Sequence, residues 1–343
     1  MVDVFDDSRL DDESAMTRAD HLLRPLAEAG SRVRREAGAA AEAIEKAVAA
    51  AAGDSRPRAV VAAGPDSRLL RAVLEPWCPV PFVAWPGPSL PGWAGALDLV
   101  VVLAPDGSDT GATSAVAEAV RRGCRVVVAC PPGSLVAEHA AGRDTTVLPS
   151  SSGDQLAMAV VMLEVLQRLD LGPDTDPEAV ALALDEVAIA CSPYRDIAVN
   201  PAKMLAIALA DSTPLVWGGS VLAARAARRV AESLRRATGR TALAGDAEHL
   251  LPVIEAASSP DLFADPFDLD DDVRRPALVI LDDGTDEPWV REQRGRLSSA
   301  AEARRVRVEH VDSEAGNDVA RYAGLLSTGT YASVYLSVAL GRV

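Results

Sequence analysis

The sequence predicts an α/β protein built on parallel sheets, and three observations carry that expectation. Short unbroken apolar runs recur along the chain. Each run ends in a turn rich in Gly, Pro, Asp and Ser, and each turn opens an amphipathic helical pattern. An unbroken apolar run suits a strand covered on both faces, as in a parallel sheet flanked by helices. Such doubly wound sheets hold their ligands at the carboxyl ends of the strands.

Each element follows in order. Residues 2–13 are acidic and read as a frayed end, and about Met16 to Ala52 reads as helix, with breaks expected at Gly30 and Gly38. Ala59–Ala63 is the first apolar run. It meets Gly64-Pro65-Asp66-Ser67, and Leu69, Leu70, Val73 and Leu74 mark the helix that follows. Asp98–Leu103 repeats the unit, turning at Pro105–Thr110 into a helix through Val116, Ala119 and Val120. Arg125–Ala129 repeats it again, turning at Pro131–Ser134 into a helix near Leu135–Ala141. A helix over about Gln155–Leu169 ends in Asp170–Pro177, a Pro/Asp/Gly stretch that suits a domain boundary.

Beyond it the same grammar restarts. Helices are expected near Glu178–Ala190 and Pro201–Ala210, then a strand at Pro214–Trp217 running through Gly218-Gly219-Ser220 into a helix to about Arg236. Further strands are expected at Thr241–Leu243, Ala277–Leu281 and Val306–Val311, and a closing helix from about Asp318 through Tyr331–Leu340. The acidic run Asp268–Asp272 reads as a solvated loop. The expected division is an N-terminal helical segment over 1–52 packing on two domains, 53–170 and 178–343.

Length and charge narrow the function. A chain of 343 residues is long for one domain and comfortable as two. A net charge of -16 argues against nucleic-acid or anionic-membrane partners, which reward basic surfaces. It leaves room for a small phosphate ligand, whose site needs only local donors. Cys78, Cys124, Cys130 and Cys191 have no CxxC spacing and read as small buried thiols, while His21, His139, His249 and His310 are scattered, so neither a metal nor another cofactor is expected. No signal-peptide pattern opens the sequence and no apolar run reaches the roughly 18 residues of a membrane span, so the cytoplasm is expected. Dinucleotide, P-loop and nucleophile-elbow motifs are absent.

Three strand-to-helix turns remain as candidates: Gly64–Ser67, Gly107–Thr113 and Gly218–Ser220. A helix start offers unpaired amide donors and partial positive charge, which suit a phosphate. The same residues also serve ordinary turns and caps, and Ser108, Asp109, Thr110 and Thr113 suit either use.

Several segments resemble a known family. Asn200-Pro201-Ala202-Lys203-Met204-Leu205-Ala206 followed by Pro214–Gly218, the stretch Gly324–Ser337, and Ala117–Cys130 with Gly133–Glu138 are similar to two-domain SIS (sugar isomerase) proteins of the bifunctional phosphoglucose/phosphomannose isomerase type. The resemblance extends to the degenerate, TobH-like SIS proteins of GC-rich bacteria. It implies two SIS-type domains, each a parallel sheet flanked by helices in three layers, and a phosphosugar ligand. It also implies a homodimer, with the apolar helix around Val334–Leu340 as a contributor to the contact.

In that family, hydroxyls hold the phosphate, a glutamate moves a proton between C1 and C2, and a histidine assists ring opening. Carried over residue by residue, Ser67, Thr110 and Thr113 match the family's phosphate turns; Ser108 and Ser220 are the further candidate phosphate contacts, with Arg225 or Arg228 as a charge partner. The departures are as informative. Pro65 and Asp66 replace glycines of the first phosphate turn, and serines of the second are replaced by Pro105 and Gly107 or by Ala104 and Asp106. No carboxylate lies between Glu232 and Asp246, where the catalytic glutamate is expected, leaving Glu248 as base and His249 as ring-opening acid. Fold-bearing segments match while chemistry-bearing ones mostly do not, which predicts a hexose-phosphate-binding protein with little or no isomerase activity. The alternatives are an active isomerase of glucose 6-phosphate and mannose 6-phosphate, and a structural protein that holds no sugar.

Overall fold

Helix α1 (Glu13–Ala27) starts where the Asp12 carboxylate accepts hydrogen bonds from the amides of Ser14 and Ala15, and α2 (Ala29–Ala51) follows across Glu28. The computed structural model describes residues 4–53, 55–257, 274–314 and 316–343, so the acidic run Asp268–Asp272 lies outside the described residues. The break expected at Gly38 does not occur. One helical glycine costs only about 1 kcal/mol, and the alanines around it are strong helix formers.

The residues Ala29–Leu182 form one unit. After α2 come β1 (Val60–Ala63), α3 (Ser67–Trp77), β2 (Phe82–Trp85), β3 (Leu99–Leu103), α4 (Thr110–Arg121), β4 (Arg125–Cys130), α5 (Leu135–His139), β5 (Thr145–Pro149) and α6 (Gln155–Arg168). The five strands are all parallel, in the order β2-β1-β3-β4-β5. Every residue of β1 and β3 is buried, as the unbroken apolar runs require. Helix α2 lies along α6 and β5. Helix α7 (Pro177–Ala190) then carries the chain out of the unit.

The second unit joins Met1–Glu28 to Ala183–Val343. It holds α8 (Pro201–Ala208), β6 (Ser212–Gly218), α9 (Val221–Thr238), β7 (Leu243–Ala244), α10 (Ala247–Glu255), β8 (Arg275–Asp282), α11 (Pro288–Ala303), β9 (Arg307–Asp312) and α12 (Asp318–Ala339). Its four strands are parallel in the order β7-β6-β8-β9. In each sheet the first strand of the unit lies inside, flanked on both sides by later strands, and the strand-to-helix turns gather at one end.

Lys203, one of two lysines in the sequence, lies inside the second unit. The Asn200 side chain accepts from the amides of Ala202 and Lys203 and starts α8, with Pro201 in the first turn. The Lys203 ammonium is buried and donates to the carbonyls of Pro193 and Arg195, both at 2.9 Å, and to Asp11 at 3.2 Å. It also lies 5.8 Å over the Tyr335 ring, whose hydroxyl donates to the Cys191 carbonyl at 2.5 Å. These contacts tie α8 to α12. They are structural.

Helix α12 is buried along nearly its whole length, and at Gly329 it crosses α9 so closely that a Cβ would stand 2.3 Å from Val230 Cγ2. Val334–Leu340 is thus core of its own unit and not an exposed face for a second copy. Among the described residues no helix is long and apolar enough to cross a membrane.

Candidate functional site

In the first unit four turns gather at the carboxyl ends of β1, β3, β4 and β5. The β1 turn bends at Gly64, whose φ of 87° lies in the left-handed region and whose amide donates to the Trp85 carbonyl at 3.0 Å. Gly64 sits against α4, where an added Cβ would lie 3.6 Å from Ala112 Cα. Gly107, at φ 64°, packs so tightly on the β4 turn that a Cβ would stand 2.7 Å from Ser134 Cβ. The turns holding Ser67 and Gly107–Thr113 therefore converge, as the sequence predicts of strand tips.

The hydroxyls there are not equivalent. Thr113 donates to the Asp109 carbonyl at 2.7 Å, a bond within its own helical turn. Ser108 donates to Asp106 at 2.8 Å and is exposed, and Thr110 is exposed at the first position of α4. Asp109 caps α4 by accepting from the Ala112 amide at 2.7 Å, so a carboxylate of the chain already fills the place of an anion. Ser67 differs. It is 1% exposed, and its Oγ has no hydrogen-bond partner. It opens α3, where the N-cap residue Asp66 makes no side-chain cap and instead accepts from the Gln155 amide. An orphan donor beside an uncapped helix start is the one open anion position among these turns.

In the second unit Ser220 caps α9, accepting from the Ala223 amide at 3.0 Å and donating to the Asp283 carboxylate just beyond β8. Gly218 lets the strand end reach the helix, since a Cβ there would stand 2.2 Å from the Ala223 carbonyl carbon. The Ser220 hydroxyl is therefore already engaged by a carboxylate. Arg225, one turn on, is half-buried beside Tyr322 of α12, and burial lowers its pKa from the ordinary arginine value. Arg228 is exposed and lies 3.7 Å from Asp246.

Glu248 and His249 occupy the first turn of α10, and both are exposed. His249 Nδ1 lies 4.0 Å from Asp246, itself exposed. A general base working on a C–H bond needs a site that holds substrate and excludes water, and neither side chain has such surroundings here. Among the described residues no group of three His, Cys, Asp or Glu is placed to hold a metal ion. Sequence reasoning missed Asp283 as the partner of Ser220 and Glu36 of α2 as a ligand of the β5 turn. Both are contacts between distant segments, for which local patterns carry no signal.

Residues 198–342 match the bacterial phospho-glucose isomerase C-terminal SIS domain. No curated protein sequence matches the chain. Among solved structures, the tagatose-6-phosphate ketose/aldose isomerase of Escherichia coli superposes with a TM-score of 0.68 at 13% identity, covering 94% of each chain. The C-terminal domain of the glucosamine-fructose-6-phosphate aminotransferase of Francisella tularensis gives 0.62 at 12% identity, over 93% of this chain and 96% of that one. A glucose-6-phosphate isomerase like protein from Thermus thermophilus gives 0.50 at 19% identity, over 83% and 82%. At such identities the likeness is one of fold. The chain holds two units, each a parallel sheet flanked by helices. Its second half matches the domain named above, and the whole resembles SIS proteins of the phosphosugar isomerase kind.

Proposed function

We propose that this protein binds a hexose phosphate at the strand tips of its first domain and does not isomerise it. The observation that carries the reading is Ser67, whose hydroxyl is buried without a partner at the uncapped start of α3. A buried hydroxyl left unpaired costs about 1–3 kcal/mol, a cost that a bound phosphate oxygen would remove. The helix start adds partial positive charge at the same place, although the Ser67 and Leu69 amides already donate to the Gly64 and Asp66 carbonyls. Gln155 spans the turn to reach Asp66, so the ligand enters by parting that contact. Thr110 and Ser108, exposed on the adjoining turn, are within the same group of tips and serve as secondary contacts to the sugar or its phosphate.

Binding without isomerisation rests on the missing base. The segment of the second domain that should carry a glutamate has none, and Glu248 and His249 stand in water on α10. The resemblance to SIS proteins adds a homodimer to this reading, which light scattering on the purified chain tests directly by mass.

Two measurements decide the functional part. Glucose 6-phosphate, mannose 6-phosphate and fructose 6-phosphate should each be tried as thermal-shift ligands, and at least one should raise the melting temperature. A coupled assay for fructose 6-phosphate formed from either aldose should show no enzyme-dependent rate. A clear rate would favour the isomerase alternative, and no shift with any hexose phosphate would remove the binding reading.

A further inference from the structure

The opposite, amino-terminal ends of the two sheets carry a second feature, an arginine-lined cavity in each domain. In the first domain Val60, Leu99 and Arg125 stand side by side on β1, β3 and β4. In the second, Pro214, Ala277 and Arg307 stand in the same relation on β6, β8 and β9. Each domain has a cavity at this end, of about 360 Å³ in the first and about 290 Å³ in the second.

The first cavity is lined by Arg56, Arg58 and Arg125 and by one carboxylate, Asp98, which pairs with Arg58. Asp98, the residue before Leu99, has a fully buried carboxylate that accepts from Arg58 at 3.0 and 2.6 Å and from the Gly95 amide at 2.8 Å. The residue in the matching place before Ala277 is Pro276, which offers no charge. Around it Arg275, Arg305 and Arg307 line the cavity together with Ser212 and one carboxylate, Asp211. The lining is therefore net positive in a chain of net charge -16.

Two of the three arginines are held by main-chain carbonyls. Arg307 donates to the Ala208 carbonyl at 3.1 Å, and Arg275 donates to the Arg304 carbonyl at 3.2 Å. Ser212 Oγ is buried with no hydrogen-bond partner. Arg305 takes the left-handed position that ends α11, at φ 51°, where glycine is the favoured residue. An arginine held against its backbone preference at a cavity wall points from strain to use.

We propose that this cavity is a second anion site, which takes the phosphate or diphosphate group of a small metabolite on Arg305, Arg307 and the Ser212 hydroxyl. Its size suits the anionic head group, with the remainder of the ligand in solvent. Guanidinium groups suit such oxygens because they donate two parallel hydrogen bonds. The site is independent of the strand-tip reading, and each can fail alone.

Calorimetric titration of inorganic pyrophosphate into the full chain at low ionic strength tests it. The wild type should bind at least one pyrophosphate per chain. Arg305→Ala combined with Arg307→Ala should weaken binding by at least about tenfold. Arg305→Gly should weaken it too while raising the melting temperature, because glycine accepts the left-handed backbone. Arg304→Ala, which removes a neighbouring exposed arginine outside the lining, should leave the affinity unchanged. Absence of binding by the wild type, equal binding by the double variant, or an equal loss on Arg304→Ala would overturn the proposal.

Discussion

The Glu36 carboxylate of α2 accepts a hydrogen bond from the Ser152 amide at 2.7 Å and from the Ser151 amide at 3.0 and 3.1 Å. One turn earlier on α2, Arg32 pairs with Asp154 at 2.7 Å. Helix α2 therefore reaches over β5 and places a carboxylate of its own in the turn that opens α6. Of the anion positions at the tips of the first sheet, this one is occupied by Glu36 and that of α4 by Asp109, which leaves the start of α3.

Glu36 gives the first prediction, on pH. Burial pushes its carboxyl up, but hydrogen bonds from Ser152 and Ser151 outweigh that and hold it below the ordinary glutamate value. A folded-state value below the unfolded one stabilises the protein fully above the unfolded pKa, about 4.3, and the gain is lost as pH falls through the folded value. Glu36→Gln should cost about 1–3 kcal/mol near neutrality, because the buried amides lose a charged acceptor. The gap to wild type should narrow in acid. Urea unfolding at about pH 7 and about pH 3.5 measures both.

Asp66 gives the second. Its carboxylate stands at the start of α3, beside the position proposed for the phosphate, and repels a dianion there. Asp66→Asn should tighten hexose-phosphate binding by about fivefold, the equivalent of about 1 kcal/mol of Coulomb repulsion. Calorimetry on the two proteins reads this directly, and weaker binding by the variant would place the phosphate elsewhere.

A third concerns the candidate catalytic pair. Glu248→Ala and His249→Ala should leave both the melting temperature and hexose-phosphate affinity unchanged, because both side chains are exposed. A loss of affinity in either variant would bring α10 into the site.

Packing gives the fourth. Gly329→Ala places a methyl group 2.3 Å from Val230 Cγ2, where α12 and α9 cross. The change should destabilise the protein by about 1–3 kcal/mol, and adding Val230→Ala should recover part of the loss. Thermal unfolding of the single and double variants checks the sign.

Much of this fold was legible because its central strands announce themselves. Val60–Ala63 and Leu99–Leu103 are unbroken apolar runs, and they are the fully buried strands. The edge strands are less apolar and were missed. Phe82–Trp85 is only half-buried and lies between prolines, and Thr145–Pro149 mixes threonines with its few apolar residues. Helix α11 was missed as well, since only Val290, Leu297 and Ala301 of it are buried and charged residues mask that face.

The candidate site was legible in part. Gly64–Ser67 and Gly107–Thr113 can be picked out as glycine-hydroxyl turns after apolar runs, and the structure brings them together. Which hydroxyl lacks a partner cannot be read locally. Thr113 and Ser67 look alike in sequence, yet one bonds to Asp109 and the other to nothing. The roles of Glu36 and Asp283 depend on contacts across 115 and 63 residues.

The most direct test is a crystal of the protein grown with whichever hexose 6-phosphate raises its melting temperature. The phosphate should lie at the first turn of α3 with an oxygen in hydrogen-bond distance of Ser67 Oγ, and Ser67→Ala crystals should lack it. Sugar phosphate seated away from α3, or density unchanged in the Ser67→Ala protein, would contradict the account.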